Sequence, residues 1–318
     1  MVSNASFAER LPDNTPILRL DGAAEELARG DTQNLADGPN GDDRIYVIFT
    51  SGSTGQPKGA GVNHRGFANL LAWYARQLDM SSADAGLLVS ALGFDLTQKN
   101  LFAPFVTGAS LHFPEQDIGY DPRELRRAVA ERGITWVNCT PSAFYPLLES
   151  PGDAYGELQS LRWLVLGGEP IETDRLSDWL RAPSCQSTVL NSYGPTECTD
   201  VAVAGALDPS SGSTDVPLGK PVDNVKLLVC DAHGNALPLG LPGELYIGGI
   251  GVGEGYINQA ELTAQQFADR VVDGERGRYY ATGDVTRWRQ DGQLDYLGRA
   301  DQQVKLRGFR IELGEIEA

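Results

Sequence analysis

The sequence has few cysteines and histidines, and it has no long apolar run. Its four cysteines stand far apart among 318 residues with no C-x-x-C pair, and the three histidines lie near none of them. This spacing argues against a disulfide framework and against a zinc site, and it fits a reducing cytoplasm. The first residues carry no basic or apolar leader region, and the longest apolar stretches, such as 87–92, are too short to span a bilayer. We therefore expect a soluble, cytoplasmic protein without a membrane segment.

Positive charge is also scarce. The chain has 26 Lys and Arg residues against 43 Asp and Glu residues, which gives a formal net charge of −17. Such a surface repels nucleic-acid phosphates, and no basic stripe with interleaved aromatic residues is present, so we expect no nucleic-acid partner. With 41% hydrophobic residues, the chain is long enough for one large body and a smaller attached unit.

Helical patterns alternate with short apolar runs between residues 45 and 204. A short strand at 15–20 and a polar surface loop at 30–43 come first. The predicted strands are 45–49, which we expect to be buried, 87–91, 135–138, 163–166 and 188–191. The predicted helices are 65–77, 122–132 and 173–181. This alternation predicts an α/β fold with a mostly parallel sheet that helices cover on both faces.

The pattern changes after about residue 204. Short predicted strands at 225–230, 243–247, 286–289 and 294–297 are separated by Gly, Pro, Asn and Asp turns. The pair Asp291-Gly292 predicts a tight hairpin between the last two strands. We expect a small antiparallel barrel or sandwich. The predicted domains are a leading segment and linker at 1–44, the α/β core at 45–204 and the β-rich part at 205–300.

A loop rich in glycine and hydroxyl groups directly follows the 45–49 strand. Its sequence is TSGSTGQPKG, and it supplies Thr50, Ser51, Thr54, Lys58 and free backbone amides. These are the groups that bind a polyphosphate. The spacing does not fit G-x-x-x-x-G-K-[ST], so this is no ordinary P-loop. The alternative is a flexible surface loop. A second glycine run at 248–255 contains no G-x-G-x-x-G and is interpreted as turn chemistry.

Six motifs in order resemble the superfamily of adenylate-forming enzymes, which includes acyl-CoA synthetases, luciferases and the adenylation domains of nonribosomal peptide synthetases. The motifs are TSGSTGQPKG, FDLT at 94–97, NSYGPTE at 191–197, GELYIGG at 243–249, YATGD at 280–284 and GRADQQVKLRG at 298–308. The resemblance runs from about Tyr46 to Ala318. It implies an enzyme that uses ATP and Mg²⁺.

The resemblance also implies a role for individual residues. Glu197 corresponds to the Mg²⁺ ligand and Thr196 to a catalytic neighbour, while Tyr193 would stack on adenine. The nucleotide-binding residues it implies are Gly168, Glu169, Pro170, Asn191, Ser192, Tyr193, Gly194, Asp284, Tyr296 and Arg299. The alternatives are helix capping for Glu197 and a surface salt bridge between Asp284 and Arg299.

Asp95 distinguishes the branches of this superfamily. In members that activate amino acids, an aspartate here pairs with the α-ammonium group, whereas an acyl substrate has no charge to neutralise. The alternative is an N-cap for a helix that begins at Leu96. The pocket residues that the resemblance implies are Phe94, Asp95, Leu96, Lys99, Asn138, Val165, Gly167, Ser192, Asp200 and Val201. This polar set favours glutamine or asparagine, unless Lys99 and Asp200 simply neutralise each other.

The resemblance further implies a hinge at Asp301, so that 301–318 forms the hinge and the start of a mobile C-terminal domain. In relatives that domain carries a lysine that bridges the substrate carboxylate and ATP. We therefore expect weak catalysis from these 318 residues alone, whether they are an excised piece or half of an interrupted domain. The implied partners are an amino acid and a peptidyl carrier protein with its phosphopantetheine, with an MbtH-like protein as a further candidate. The alternatives are an aryl- or acyl-CoA ligase and a nucleotide-binding fragment without turnover.

Overall fold

A computed structural model describes residues 2–3, 16–33, 36–52, 56–114, 120–149, 155–208, 216–272, 275–301, 303–306 and 309–311. The chain divides into two compact units, Met1–Pro39 and Asn40–Ala318. Among the described residues, no helix is both long and apolar enough to cross a membrane.

The first unit contains two short parallel strands, β1 (Val2–Ser3) and β2 (Leu18–Arg19), and one helix, α1 (Ala24–Ala28). The strand predicted at 15–20 is thus only two residues long in the described structure. The described part of 30–43 contains no helix or strand, as the polar composition predicted.

The second unit holds the remaining regular elements. Its strands are β3 (Arg44–Thr50), β4 (Lys58–Asn63), β5 (Ala85–Leu87), β6 (Ser110–His112), β7 (Trp136–Cys139), β8 (Trp163–Gly167), β9 (Thr188–Tyr193), β10 (Val203–Ala206), β11 (Lys220–Pro221), β12 (Val225–Cys230), β13 (Gly243–Gly249), β14 (Gly255–Tyr256), β15 (Phe267–Val272), β16 (Glu275–Trp288), β17 (Leu294–Arg299), β18 (Val304–Leu306) and β19 (Phe309–Ile311). Its helices are α2 (His64–Gln77), α3 (Asp95–Thr107), α4 (Pro122–Arg132), α5 (Pro141–Phe144), α6 (Thr173–Arg181) and α7 (Ala260–Gln266). Single turns of 3-10 helix lie at Tyr145–Leu147, Gly156–Leu158 and Thr196–Cys198.

A seven-stranded sheet forms the centre of the second unit, in the order β11-β10-β9-β8-β7-β5-β6. Strands β5 to β9 are parallel, and β10 and β11 add antiparallel pairs at one edge. Successive side chains of a strand enter different cores: Trp136 packs in one hydrophobic cluster, and Val137 packs in the other. Both faces are therefore covered, as the alternating pattern predicted.

A three-stranded antiparallel sheet, in the order β14-β4-β3, carries the predicted phosphate loop between β3 and β4. The strand predicted at 45–49 is present as β3, but the expectation that it is buried is wrong. Ile48 is buried, whereas the side chain of Phe49 is 69% exposed. Side chains project alternately from the two faces of a strand, and the face that carries Phe49 is left uncovered at this residue.

A five-stranded antiparallel sheet follows, in the order β12-β13-β16-β15 with β17 paired to β16. The hairpin predicted at Asp291-Gly292 joins β16 to β17, and Gly292 adopts a φ of 77° there. The predicted fold class, a parallel sheet layered with helices plus an antiparallel β-rich part, is confirmed. The change from one sheet to the other falls between Pro221 and Val225; the domain limits remain a prediction.

Candidate active site

A cavity of about 370 Å³ lies where the parallel strands β8 and β9 end. Open α/β sheets bind ligands at this edge. The walls come from four parts of the chain: the end of β3, the start of α3, the turns after β8 and β9, and the β16–β17 pair. The lining residues are Ile48, Phe49, Thr50, Ser51, Ala91, Gly93, Phe94, Asp95, Leu96, Gly167, Gly168, Ser192, Gly194, Pro195, Thr196, Asp200, Thr282, Asp284, Arg299 and Gln303.

Thirteen of the predicted site residues line this cavity. They are Thr50, Ser51, Phe94, Asp95, Leu96, Gly167, Gly168, Ser192, Gly194, Thr196, Asp200, Asp284 and Arg299. The predicted residues outside its lining are Lys58, Lys99, Asn138, Val165, Glu169, Pro170, Asn191, Tyr193, Glu197, Val201, Tyr296 and Asp301. Thr54 lies outside the described residues. Motif order thus predicted the wall that faces the ligand and a layer of side chains behind it.

The carboxylate of Asp95 faces the cavity at the first residue of α3. The Leu96 backbone N–H donates to its Oδ1 at 2.8 Å, and the Thr196 hydroxyl donates to its Oδ2. Burial raises the pKa of Asp95, and the Thr196 bond and the charge of Lys99 oppose that rise. The N-cap alternative is wrong, because Phe94 occupies the cap position and no side chain caps the helix. Among the described residues, no lysine or arginine forms an ion pair with Asp95.

Lys99 and Asp200 form a buried ion pair beneath Asp95. The Lys99 ammonium donates to Asp200 Oδ2 at 2.6 Å and to the Leu96 carbonyl oxygen at 3.3 Å. Burial and, to a smaller extent, the charge of Asp95 raise the pKa of Asp200, Lys99 lowers it, and together they bring it to about 6. The alternative interpretation, in which Lys99 and Asp200 neutralise each other, therefore describes this pair. With both carboxylates ionised, one ammonium faces two negative charges, so the site favours a second cation.

Asn138 does not present a free amide to the cavity. Its Nδ2 donates to the Leu96 carbonyl oxygen at 3.1 Å and to Asn100 Oδ1 at 3.0 Å. Val165 and Val201 are buried in the hydrophobic core. Of the polar side chains predicted for the pocket, Asp95, Ser192 and Asp200 line the cavity.

Asp284 and Arg299 form the opposite wall. Arg299 Nη1 donates to Asp284 Oδ1 at 3.0 Å, and the Tyr193 hydroxyl donates to Oδ2. The surface salt-bridge alternative is wrong, because Asp284 is only 2% exposed. Burial raises the pKa of Tyr193, and the charge of Asp284 adds to the rise. The Tyr193 ring centroid lies 6.4 Å from that of Tyr296.

Arg299 also reaches the predicted hinge. Its Nε donates to Asp301 Oδ1 at 2.7 Å, so one guanidinium joins the buried Asp284 to a half-exposed carboxylate. Gly283 adopts a φ of 71° there, and a Cβ would lie 2.6 Å from Arg299 Nη2. Glycine is thus required at this position.

The side chains of Glu169 and Asn191, two of the predicted nucleotide-binding residues, form hydrogen bonds within the protein. Both oxygens of Glu169 accept from Ser142, one from the backbone N–H and one from the hydroxyl, each at 2.9 Å. The Asn191 amide donates to the Pro217 carbonyl oxygen at 2.9 Å. These two side chains therefore fix loops around the cavity, and the adenine contacts that the resemblance implies for them remain predictions.

Glu197 is fully buried on the single 3-10 turn Thr196–Cys198. The Tyr256 hydroxyl donates to its Oε1 at 2.6 Å, and the Lys58 ammonium lies 3.8 Å from the same oxygen. The capping alternative does not account for these partners. A carboxylate supplies the oxygen ligands that Mg²⁺ prefers, so Glu197 is chemically suited to hold this ion. Among the described residues, no group of three or more His, Cys, Asp or Glu could hold a metal by itself, so nucleotide and water oxygens would supply the other ligands.

Sequence reasoning assigned no site role to Tyr256 or to seven of the lining residues, which are Ile48, Phe49, Ala91, Gly93, Pro195, Thr282 and Gln303. The glycine run at 248–255, which precedes Tyr256 and was interpreted above as turn chemistry, is the sequence signal that could have indicated this residue. At Gly253 a Cβ would lie 2.4 Å from the Gly61 carbonyl oxygen. Glycine thus lets this segment approach β4 and places Tyr256 beside Lys58.

The comparisons with known proteins agree with this geometry. Residues 4–257 match the family model described as AMP-binding enzyme. Tyrocidine synthase 2 of Brevibacillus parabrevis is 36% identical over the whole chain, which covers 9% of that relative. The dimodular nonribosomal peptide synthase of Bacillus subtilis (strain 168) is also 36% identical over the whole chain, which covers 14% of it. The chain therefore spans only a small part of these curated relatives.

Two solved structures share the fold. An artificially fused adenylation–PCP didomain, NpsA-ThdA from Klebsiella oxytoca, has a TM-score of 0.84 at 25% identity, over 96% of this chain and 60% of that one. The Vibrio cholerae adenylation domain AlmE, in complex with glycyl-adenosine-5′-phosphate, has a TM-score of 0.77 at 28% identity, over 87% of this chain and 52% of that one. The chain belongs to the AMP-binding enzyme family, and its relatives there are the adenylation domains of nonribosomal peptide synthetases.

Proposed function

We propose that the protein activates an amino acid as its aminoacyl-adenylate, with release of pyrophosphate, for transfer to the phosphopantetheine thiol of a peptidyl carrier protein. In the first step the amino-acid carboxylate attacks the α-phosphorus of ATP, and pyrophosphate leaves. The chain's contribution is to position both reactants and to neutralise their charge. The transfer step is proposed from the family and from the carrier-protein fusion among its structural relatives.

The single observation that carries this proposal is the Asp95 carboxylate in the cavity wall. It accepts from Thr196 and from backbone, and no cation of the described chain pairs with it. A partly buried carboxylate without a counter-charge is costly, so a ligand ammonium would relieve the cost. An acyl substrate would leave that charge uncompensated. The AlmE relative was crystallised with a glycyl adenylate, which supports the same class of ligand.

The remaining walls suit the nucleotide. Thr50 and Ser51 bring hydroxyl and backbone groups to the cavity, and the buried Asp284, which the resemblance implies for nucleotide binding, lines the same cavity and accepts from Arg299. Glu197 would hold Mg²⁺, which when bound neutralises phosphate charge. Lys58 lies beside Glu197, and its predicted contact with the phosphates stays part of the proposal.

A polar amino acid, glutamine or asparagine first, remains the proposed substrate. Fewer side chains support this preference than the sequence indicated, because Lys99 and Asn138 form hydrogen bonds within the protein. Asp200 lines the cavity and supplies acceptor oxygens that match the N–H groups of a side-chain carboxamide. An MbtH-like partner and a cytoplasmic location belong to the same proposal.

Binding of non-hydrolysable aminoacyl-sulfamoyl adenosines to the 318-residue chain tests this function without requiring turnover. Calorimetry would compare each analogue with one that lacks the α-amino group. Removing one partner of a desolvated charge pair typically costs about 3–5 kcal/mol, so Asp95→Ala should weaken the amino form more than a hundredfold and the des-amino form little. Asp178→Ala removes an exposed carboxylate on α6 and serves as the matched control.

Each other outcome identifies a rival. Equal affinity for the amino and des-amino analogues would favour an aryl- or acyl-CoA ligase. Binding of ATP without binding of any acyl-adenylate analogue would favour a nucleotide-binding fragment. Strong binding of leucyl or phenylalanyl analogues, with none of a polar one, would overturn the proposed side-chain preference and leave the amino-acid proposal standing.

A further inference from the structure

Three buried side chains from distant parts of the sequence meet beside the phosphate loop. Tyr256 on β14 pairs with Ala60 on β4, and Lys58 lies two residues from Ala60. Because side chains two apart share a face of a strand, Lys58 and Tyr256 stand on the same face of this small sheet. Glu197 packs onto that face from its 3-10 turn. The relative exposures are 0% for Glu197, 6% for Lys58 and 5% for Tyr256.

Each of the three groups contacts the other two. The Tyr256 hydroxyl donates to Glu197 Oε1 at 2.6 Å, because an ionised carboxylate can only accept. The Lys58 ammonium lies 3.8 Å from that oxygen and 5.1 Å from the centroid of the Tyr256 ring. The tyrosine thus fixes Oε1 by a directional bond, and the lysine compensates its charge.

The backbone of Glu197 cannot fix this carboxylate by itself. Its helical turn has three residues, and the next two, Thr199 and Asp200, have φ values of 62° and 66°, so no regular element continues beyond it. The backbone anchor is the bond from the Gly253 N–H to the Glu197 carbonyl oxygen at 2.8 Å. A glutamate side chain keeps several rotatable bonds beyond that anchor. The orientation of the side chain therefore depends on its contacts, which include Tyr256 on β14 and Lys58 on β4.

We propose that Tyr256 is a positioning residue for metal binding: it holds the Glu197 carboxylate in the orientation in which it accepts Mg²⁺ with the nucleotide. This inference rests on the proposed function, because it takes Glu197 as the metal ligand. Partners that orient a ligating carboxylate typically contribute about 10- to 100-fold to metal affinity. The rival is a purely structural role, in which the Tyr256 ring only packs against Phe267, with centroids 5.7 Å apart.

Tyr256→Phe separates the two roles, because it keeps the ring and removes the hydroxyl. Calorimetry would give the ATP dissociation constant of the 318-residue chain with Mg²⁺ and with EDTA. Positioning predicts that the enhancement of ATP binding by Mg²⁺ falls at least tenfold, while the metal-free affinity stays within about twofold of wild type. Tyr74→Phe is the matched control. Tyr74 is fully buried and its hydroxyl has no hydrogen-bond partner among the described residues, so this variant should keep the wild-type Mg²⁺ enhancement.

A double-mutant cycle with Glu197→Gln tests whether Tyr256 acts through that carboxylate. If it does, Tyr256→Phe will change the Mg²⁺ enhancement in wild type and leave it unchanged in the Glu197→Gln background. The double variant removes the carboxylate that has lost its donor, but it also removes a counter-charge of the buried Lys58. Circular dichroism is therefore recorded for the single and the double variant alike. Unfolding of both variants, seen by circular dichroism, would assign Tyr256 to the core and overturn the proposal.

The remaining outcomes separate the two proposals. Wild-type chain that binds ATP equally with and without Mg²⁺ would contradict both the metal role of Glu197 and the role of Tyr256. Wild-type binding that depends on Mg²⁺, with an unchanged dependence in Tyr256→Phe, would overturn the role of Tyr256 alone.

Discussion

Lys99 and Asp200 neutralise each other beneath the cavity, with 2.6 Å between the ammonium nitrogen and the carboxylate oxygen, and neither side chain is more than 8% exposed. The pair closes the pocket below Asp95. Asp95 forms no ion pair among the described residues, and we propose that the ligand supplies its counter-charge.

Breaking this pair will destabilise the protein. Lys99→Met leaves Asp200 buried without its cation, so we expect the free energy of unfolding to fall by about 3–5 kcal/mol at pH 7. Adding Asp200→Leu should recover most of that loss. Urea denaturation measures both changes. Arg76→Met, which breaks an exposed pair with Asp223, should cost less than about 1 kcal/mol. Equal losses in Lys99→Met and Arg76→Met would contradict the buried charge pair.

The titration of Asp200 predicts a pH dependence of stability. Its pKa is raised by burial to about 6, so the folded state binds a proton that the unfolded state has already lost between about pH 4 and 6. Its contribution to the free energy of unfolding therefore decreases as pH rises through this window, by at most about 3 kcal/mol, and is level above it. Asp200→Asn should remove this slope. A wild-type curve that rises more steeply than that of the variant over the same window would contradict the prediction.

The contribution of Asp84 to stability should change with pH in the opposite direction. Burial alone would raise its pKa, but the bonds from the Ser81 N–H and the Thr135 hydroxyl, with the charge of Arg162, outweigh burial, and the pKa is lowered. The stability it contributes is present above its unfolded pKa and is lost as pH falls. Asp84→Asn should cost about 2 kcal/mol at pH 7 and progressively less below pH 4. Thermal unfolding of wild type and Asp84→Asn at pH 7 and below pH 4 provides the check. A difference in stability between the two proteins that does not change with pH would argue against this charge effect.

Tyr193 tests the nucleotide wall. Tyr193→Phe keeps an aromatic ring and removes the bond to Asp284, whereas Tyr193→Leu removes both. Aromatic stacking on a base is worth about 1–3 kcal/mol, so the leucine variant should bind ATP about 5- to 150-fold more weakly than the phenylalanine variant. Calorimetry with ATP measures the affinity of each variant. Equal affinities of the two variants would remove Tyr193 from the adenine site.

Several elements were determined by the local sequence alone. The helix predicted at 122–132 has those bounds because Asp121 accepts from the Arg123 N–H at its start and Gly133 adopts a φ of 58° at its end. The hairpin at Asp291-Gly292 likewise depends on residues within one turn. The motif order was sufficient to predict most of the cavity wall, because a nucleotide site needs particular groups at the ends of successive strands.

Other features depended on contacts between distant residues. Helix α3 was considered only as an alternative beginning at Leu96, since its interior contains Pro104 and buried polar residues such as Lys99 and Asn100, which hide any amphipathic pattern. Lys99 meets a carboxylate 101 residues further along the chain, and Tyr256 reaches back 59 residues to Glu197.

The residue types alone showed which groups could bind ATP and an amino acid. Only the packed structure decided which of those groups still face the ligand. Burial excludes water, so each buried charge must take whichever partner the fold places beside it. For Lys99 that partner is Asp200, and for Asp95 we propose the ammonium group of the substrate.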